Sequence, residues 1–228
     1  MKKLFIFGTG EIAEVAHYHF SNDSNYKVEA FVDFKKYIKK KKKFGLRVIE
    51  LEKIETLLPK KDYHAFVALG YREINALRKK IYTLLKRKKY KLASYISKNS
   101  SISKDVSIGD NCLILDNQVI HPYTSIGNNV TLWSGNIIGH HCKIENHCFI
   151  TSNVVVAGNS KIGSSSFIGI KSAIKDGISV GKDCVIFMNS SISKNMPDGS
   201  TAIAPMSEIF DKKNPNMKLI RKKYFNTK

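Results

Sequence analysis

The sequence predicts two units in series: an α/β N-terminal domain of Rossmann-like type, then a parallel β-helix. The second unit is visible as a period. From Ile102 an aliphatic residue returns at every sixth position as far as Ile192, sixteen times without an insertion. The first unit, residues 1–95, lacks that period and alternates apolar strand-like runs with helical stretches.

In the first unit a strand over 2–7 leads into Gly8-Thr9-Gly10 and a helix from Glu11 to about Phe20. A second strand, Val28 to Val32, ends at Asp33. A third, His64 to Leu69, is followed by Gly70 and a helix through Arg72 to Lys88. Such alternation implies a small parallel sheet. Gly8-x-Gly10-x-x-Ala13 opens a helix directly after a strand. Backbone N–H groups at such a start bind phosphate, and glycine permits close approach. Asp33 lies 20 residues beyond Ala13, where an acid can hydrogen-bond a ribose hydroxyl. The competing reading is a tight structural turn. A domain of about 95 residues is short for a dinucleotide, so a mononucleotide is the better match. Residues 35–43 hold seven lysines in nine positions and read as a solvated loop, with phosphate or nucleic-acid contact as the other reading.

In the second unit a period of six suits neither a helix nor a hairpin sheet. It suits a triangular coil of three short strands and 18 residues, with coils stacked about 4.8 Å apart. The aliphatic residue points inward. Glycine follows it at Gly109, Gly127, Gly139, Gly163, Gly169 and Gly181, which suits a bend. The fifth position of the repeat is Val, Cys, Ser or Thr in twelve of sixteen cases, and all four cysteines (112, 142, 148 and 184) fall there. They read as small buried side chains rather than disulfides or zinc ligands. The β-helix is assigned to 96–210 and a basic tail to 211–228.

Composition bounds the partners. The chain has 228 residues, with 38 Lys plus Arg against 19 Asp plus Glu, a net charge of +19. That favours anionic partners such as phosphates or nucleotides without choosing among them. Apart from the lysine run nothing points to nucleic acid, so none is expected as a partner. No stretch of about eighteen apolar residues exists, so a transmembrane helix is excluded. The start MKKLFIFGTGEIAEV reads as a first strand rather than a signal peptide, and a cytoplasmic protein is expected.

His140 is the third residue of its hexapeptide and projects outward near a corner. Eighteen residues later, one coil on, stands Gly158. A histidine beside a glycine N–H suits acyl transfer: the imidazole takes a proton from the attacking group, and the N–H stabilises the oxyanion. His141 and His147 raise a second reading, zinc bridging two subunits.

The segments FIFGTGEIAEVA, VALGYREIN, WSGNIIGHHCKI and VVVAGNSKIG resemble one branch of the left-handed β-helix acyltransferases. These are bacterial sugar acetyltransferases with an N-terminal nucleotide-sugar-binding domain. They include sialic acid O-acetyltransferase-like proteins and nucleotide-linked 4-amino-sugar N-acetyltransferases. The left hand of the coil comes from this resemblance. It implies His140 as general base and the Gly158 N–H on the thioester carbonyl. It implies that Gly8, Thr9, Gly10 and Asp33 hold the nucleotide sugar, with Gly70, Tyr71 and Arg72 nearby. Acetyl-CoA would lie along the C-terminal coils between subunits of a homotrimer, near Gly169, Ile170, Lys171, Lys175 and Gly177, and no metal is needed. Many relatives carry an acid directly after the catalytic histidine. Here that position is His141, and Glu145 or Asp116 are the candidates to orient His140. Where relatives end in glycine-proline-alanine near the coenzyme, this chain has Ala204-Pro205-Met206. The acceptor, amine or hydroxyl, stays open. From another class, a trimeric zinc hydratase shares the β-helix.

Overall fold

The computed structural model describes residues 1–209 and 220–224. Of the basic tail expected at 211–228, only 220–224 falls within it, as helix. In chain order the first unit comprises β1 (Lys2–Phe7), α1 (Glu11–Asn22), β2 (Tyr26–Asp33), β3 (Lys42–Lys43), β4 (Leu46–Glu50), α2 (Ile54–Leu57), β5 (Tyr63–Val67), α3 (Ala76–Arg87) and β6 (Lys91–Leu92). The sheet order is β3-β4-β2-β1-β5-β6, parallel except for the β3–β4 hairpin. Both faces of β1 are covered, which is why it reads as one apolar run. Leu4 and Ile6 pack with Ala13, Ala16 and Phe20 of α1, whereas Phe5 and Phe7 share a core with Ile81 and Leu85 of α3.

Two local expectations change. The lysine run is not wholly a solvated loop: its end forms β3, and Lys43 pairs with Glu14 of α1. Phe44 and Gly45, at φ 50° and 76°, make the two-residue turn into β4. The helix expected from Arg72 begins only at Ala76. Glu73, Ile74 and Asn75 have φ of 53°, 48° and 68°, so a left-handed turn occupies that stretch.

The second unit is a left-handed parallel β-helix with three walls. The first wall has seven two-residue strands, beginning with Tyr95–Ile96, Leu113–Ile114 and Thr131–Leu132. The second has six, from Ser101–Ile102, and the third five, from Ser107–Ile108. Each strand pairs with one 18 residues away, as in Ile120↔Ile138↔Val156. The aliphatic series fills a single core, with all four cysteines buried and free.

The bend lies elsewhere than expected. At each corner the fourth residue of the hexapeptide takes positive φ, from Asn111 to Asn189 without a gap. Asparagine holds six of these positions, as suits a residue that tolerates the left-handed region. The glycines after the aliphatic residue answer to stacking instead: a Cβ on Gly139 would stand 2.5 Å from the Gly158 nitrogen of the next coil. The small fifth-position side chains also bond between coils. Thr124 Oγ1 donates to the Gly139 carbonyl and accepts from the Cys142 N–H; Ser160 repeats the pattern at the same corner two coils on, and Ser166 at the corner after it.

The N-terminal domain docks on the corner between the third and first walls. Asn111, Asn129 and His147 stack there in successive coils, linked side chain to side chain. Asn111 also exchanges two hydrogen bonds with the Val67 backbone at the end of β5. From α3, Arg78 enters this corner at 1 % exposure. Its guanidinium donates to the carbonyls of Asn129, His147 and Cys148 and to Asn75 Oδ1, and lies over the Phe149 ring. Burial pushes its pKa down to about 10, so it stays charged at neutral pH.

Arg78→Met should leave the Asn129 and His147 carbonyls without a donor, the Cys148 carbonyl keeping the Thr131 N–H, and cost on the order of 3 kcal/mol, seen as a lower thermal midpoint and faster proteolysis between the domains. Burial, then Lys79 and Arg78, push the His147 pKa from 6.5 down to about 4. Between those values the unfolded chain binds a proton that the folded chain excludes. Stability should therefore fall as pH drops through this window and level off below it. His147→Asn, compatible with the local φ of 67°, should reduce that dependence in thermal melts taken across pH.

Candidate active site

The glycine-rich loop lies at the carboxyl end of β1, the edge where open α/β sheets bind ligands. Gly8 has φ of 117°, and a Cβ there would stand 2.6 Å from the Ala68 carbonyl, so only glycine fits. Gly10 caps α1 with open space around it. Thr9 Oγ1 donates to Asp33 Oδ2 at 2.6 Å, and the Phe34 N–H donates to Asp33 Oδ1 at 2.8 Å. Asp33 thus ties the loop to β2. Gly70 faces Ile12 of α1, bringing the end of β5 alongside. The next residue, Tyr71, packs on Phe149 and Phe167 of the first wall, with ring centroids 5.1 and 4.7 Å away. Arg72 is exposed. Lysines crowd this end of the sheet: Lys35, Lys39, Lys40, Lys41 and Lys53 line a cavity with Val48 and Ile49.

His140 and Gly158 stand together at the corner between the second and third walls, as the 18-residue register requires. The imidazole lies directly over the glycine: a Cβ on Gly158 would be 2.7 Å from His140 Cε1 and 2.8 Å from Nε2. Among the described residues, nothing accepts the Gly158 N–H. The side chain in contact with His140 Nδ1 is its neighbour. His140 Nδ1 lies 3.1 Å from His141 Nδ1, and Tyr123 packs on the His141 ring. The two expected orienting acids are engaged elsewhere. Glu145 accepts from the Ser164 N–H and pairs with Lys161, and Asp116 accepts from Ser97 Oγ. With the His140 proton on Nδ1, His141 Nδ1 would accept it and Nε2 would be left free to act as a base.

The residues expected around acetyl-CoA divide. Lys175 and Gly177 share the His140 corner, one coil beyond Gly158. Gly177 is exposed, with φ of 71° and open space where a Cβ would stand. Gly169, Ile170 and Lys171 occupy the corner between the first and second walls, so one chain does not bring the five together. The bridging-zinc reading loses His147, whose Nδ1 is bonded to Asn129 and whose ring packs under Tyr82.

The nucleotide end and the histidine are also apart. Among the described residues, every interdomain side-chain hydrogen bond, ion pair and ring contact falls on the first wall or its two flanking corners. His140 is on the third corner, opposite that wall.

Comparison with known proteins agrees with this architecture. Residues 3–85 match the PglD N-terminal domain. Residues 123–158 match the bacterial transferase hexapeptide of six repeats, and 161–194 the hexapeptide repeat of succinyl-transferase. Along the chain the match to the PglD N-terminal domain thus precedes the matches to hexapeptide repeats. No curated protein matches it significantly. Among solved structures, a histidine-to-asparagine mutant of perosamine N-acetyltransferase from Caulobacter crescentus, in complex with CoA and GDP-perosamine, is 21 % identical with a TM-score of 0.80, covering 92 % of this chain and 98 % of that one. The acetyltransferase domain of PglB from Neisseria gonorrhoeae is 21 % identical with a TM-score of 0.81, covering 92 % and 100 %. WeeI from Acinetobacter baumannii is 19 % identical with a TM-score of 0.69, covering 90 % and 97 %. The same two-unit fold thus extends over nearly the whole of each of these chains.

Sequence reasoning did not single out His141 as the side chain beside His140 Nδ1, nor Asp176 as a neighbour of Gly158. Asp176 stands 18 residues beyond Gly158 and 36 beyond His140, on the same register. That spacing was the available signal.

Gly158→Ala should force a methyl into the His140 ring. Turnover in a thiol-release assay should fall on the order of 100-fold while the thermal midpoint changes little.

Proposed function

We propose that the chain is an acetyl-CoA-dependent acetyltransferase acting on a nucleotide-linked sugar. Its reaction is N-acetylation of a 4-amino sugar in bacterial surface glycan biosynthesis, carried out in the cytoplasm by a homotrimer. The observation that carries this reading is the His140 imidazole seated on Gly158, with that glycine's N–H uncommitted. The structural neighbours support the substrate class: one is named a perosamine N-acetyltransferase, and the PglB domain was crystallised with acetyl coenzyme A.

The chemistry follows from the geometry. The sugar ammonium gives one proton to solvent, and the free amine attacks the thioester carbon. The Gly158 N–H stabilises the oxyanion. His140 Nε2 takes the second proton as the C–N bond forms. When the C–S bond breaks, that proton goes to the departing sulfur and CoA leaves as the thiol. Lys175 and Gly177 border the place where the thioester arm would lie.

A single chain holds its nucleotide end and its histidine on opposite sides of the prism. A second protomer bringing its own glycine-rich loop to the third corner would complete the site, which is why a homotrimer is proposed. Gly169, Ile170 and Lys171 would then meet the coenzyme from a neighbouring chain.

The test is thiol release from acetyl-CoA across nucleotide-linked amino and non-amino sugars. His140→Ala should lower turnover on the order of 10²–10⁴-fold. Near-normal turnover of that variant would remove His140 from the mechanism.

A further inference from the structure

Pro122, His140, Gly158 and Asp176 occupy one column, the third hexapeptide position of successive coils at the third corner. Gly158 is the gap in that column. Asp176 Oδ1 would be 3.1 Å from a Cβ on Gly158, and His140 Nε2 would be 2.8 Å from the same point. The carboxylate and the imidazole therefore face each other across the glycine. They make no direct hydrogen bond or ion pair, yet both border one small space. Their separation is under about 6 Å, the span of two successive hydrogen bonds through one bridging polar atom. His140 Nδ1 is already occupied by His141, so its free nitrogen is the one turned toward that space. Asp176 is exposed and is tied to no other side chain among the described residues.

We infer that Asp176 is the residue that selects an amine as acceptor. Its carboxylate accepts an N–H of the sugar nitrogen from one side while His140 Nε2 faces that nitrogen from the other, next to the Gly158 N–H. Two features favour nitrogen over oxygen. An ammonium or amine carries enough N–H groups to serve the carboxylate and the imidazole together, whereas a hydroxyl has one proton and must leave one of them without a donor. A carboxylate also attracts the cationic form of an amine and offers a neutral hydroxyl no such gain. Of the other residues in the column, Pro122 has no polar side chain, Gly158 has none at all, and Lys194, one coil beyond Asp176, forms no ion pair with it.

This assignment rests on the acetyltransferase reading above and deepens it. The test compares wild-type enzyme with Asp176→Asn and Asp176→Glu. The substrates are nucleotide-linked 4-amino sugars and their 4-hydroxyl counterparts, with thiol release from acetyl-CoA as readout. Asp176→Asn should raise KM for the amino sugar about 10- to 100-fold, with a smaller change in kcat and an unchanged KM for acetyl-CoA. The preference for amine over hydroxyl should narrow by the same factor, and Asp176→Glu should restore part of it. An unchanged thermal midpoint is expected for both variants, because the side chain is exposed. If Asp176→Asn keeps the wild-type KM and the wild-type preference, the assignment of Asp176 is overturned and the acetyltransferase reading stands. If the wild-type chain turns over no nucleotide sugar, both are overturned.

Discussion

Arg78 is a cation buried without a carboxylate partner among the described residues, and carbonyl dipoles on one corner of the β-helix hold it. Moving a guanidinium out of water is costly unless every face of it is met. Here three main-chain carbonyls, the Asn75 amide and the Phe149 ring meet its two terminal nitrogens and one face, while Nε is buried without a partner among the described residues. Asn75 is itself pinned to the Ser165 carbonyl, and that contact sits at the end of the left-handed turn before α3. The position of the N-terminal domain on the prism thus rests on these hydrogen bonds together with an apolar core in which Ala16 and Phe20 of α1 meet Leu113 and Leu115 of the β-helix. With the first wall and its corners committed to docking, the third corner, with His140, is left exposed.

The three corners share one backbone geometry and differ only in side chains. At the docking corner the left-handed positions carry Asn111, Asn129 and His147, whose short polar groups chain together and present acceptors to the other domain. At the corner of His140 the same positions carry Tyr123, His141, Asn159 and Gly177, and the residues just before them include His140, Gly158 and Asp176. The regular scaffold accounts for the alignment of His140, Gly158 and Asp176 without any special loop. Fifth-position hydroxyls and thiols satisfy the corner backbone from inside, so the outward residues are free to vary.

Much of this was legible because the period is unbroken. The inward aliphatic residues, the burial of all four cysteines and the pairing of His140 with Gly158 follow from counting in sixes and eighteens. β1, α1 and β2 were legible because both faces of the sheet are covered and the glycine loop punctuates them. The β3–β4 hairpin was hidden by lysines, which read as solvent-exposed whether or not the backbone pairs. The left-handed turn at 73–75 was hidden because non-glycine residues give little local sign of such a conformation. Arg78 looked like one more surface cation on a basic helix, and only the distant corner decides that it is buried. The division of the coenzyme residues between two corners could be read from spacing, since 169–171 and 175–177 are one hexapeptide apart, but resemblance groups them by motif rather than by corner.

The uninterrupted register gives each residue an address modulo eighteen, and function is written in those addresses. Duplicating one whole coil between Asn129 and His140 would lengthen the prism and leave every corner in its present office. Duplicating a single hexapeptide there would turn the downstream residues by a third of a revolution and carry His140 onto the corner that now seats the N-terminal domain. A lineage of such proteins can therefore grow by full turns, whereas a change by thirds must rebuild the docking seat and the catalytic edge at once.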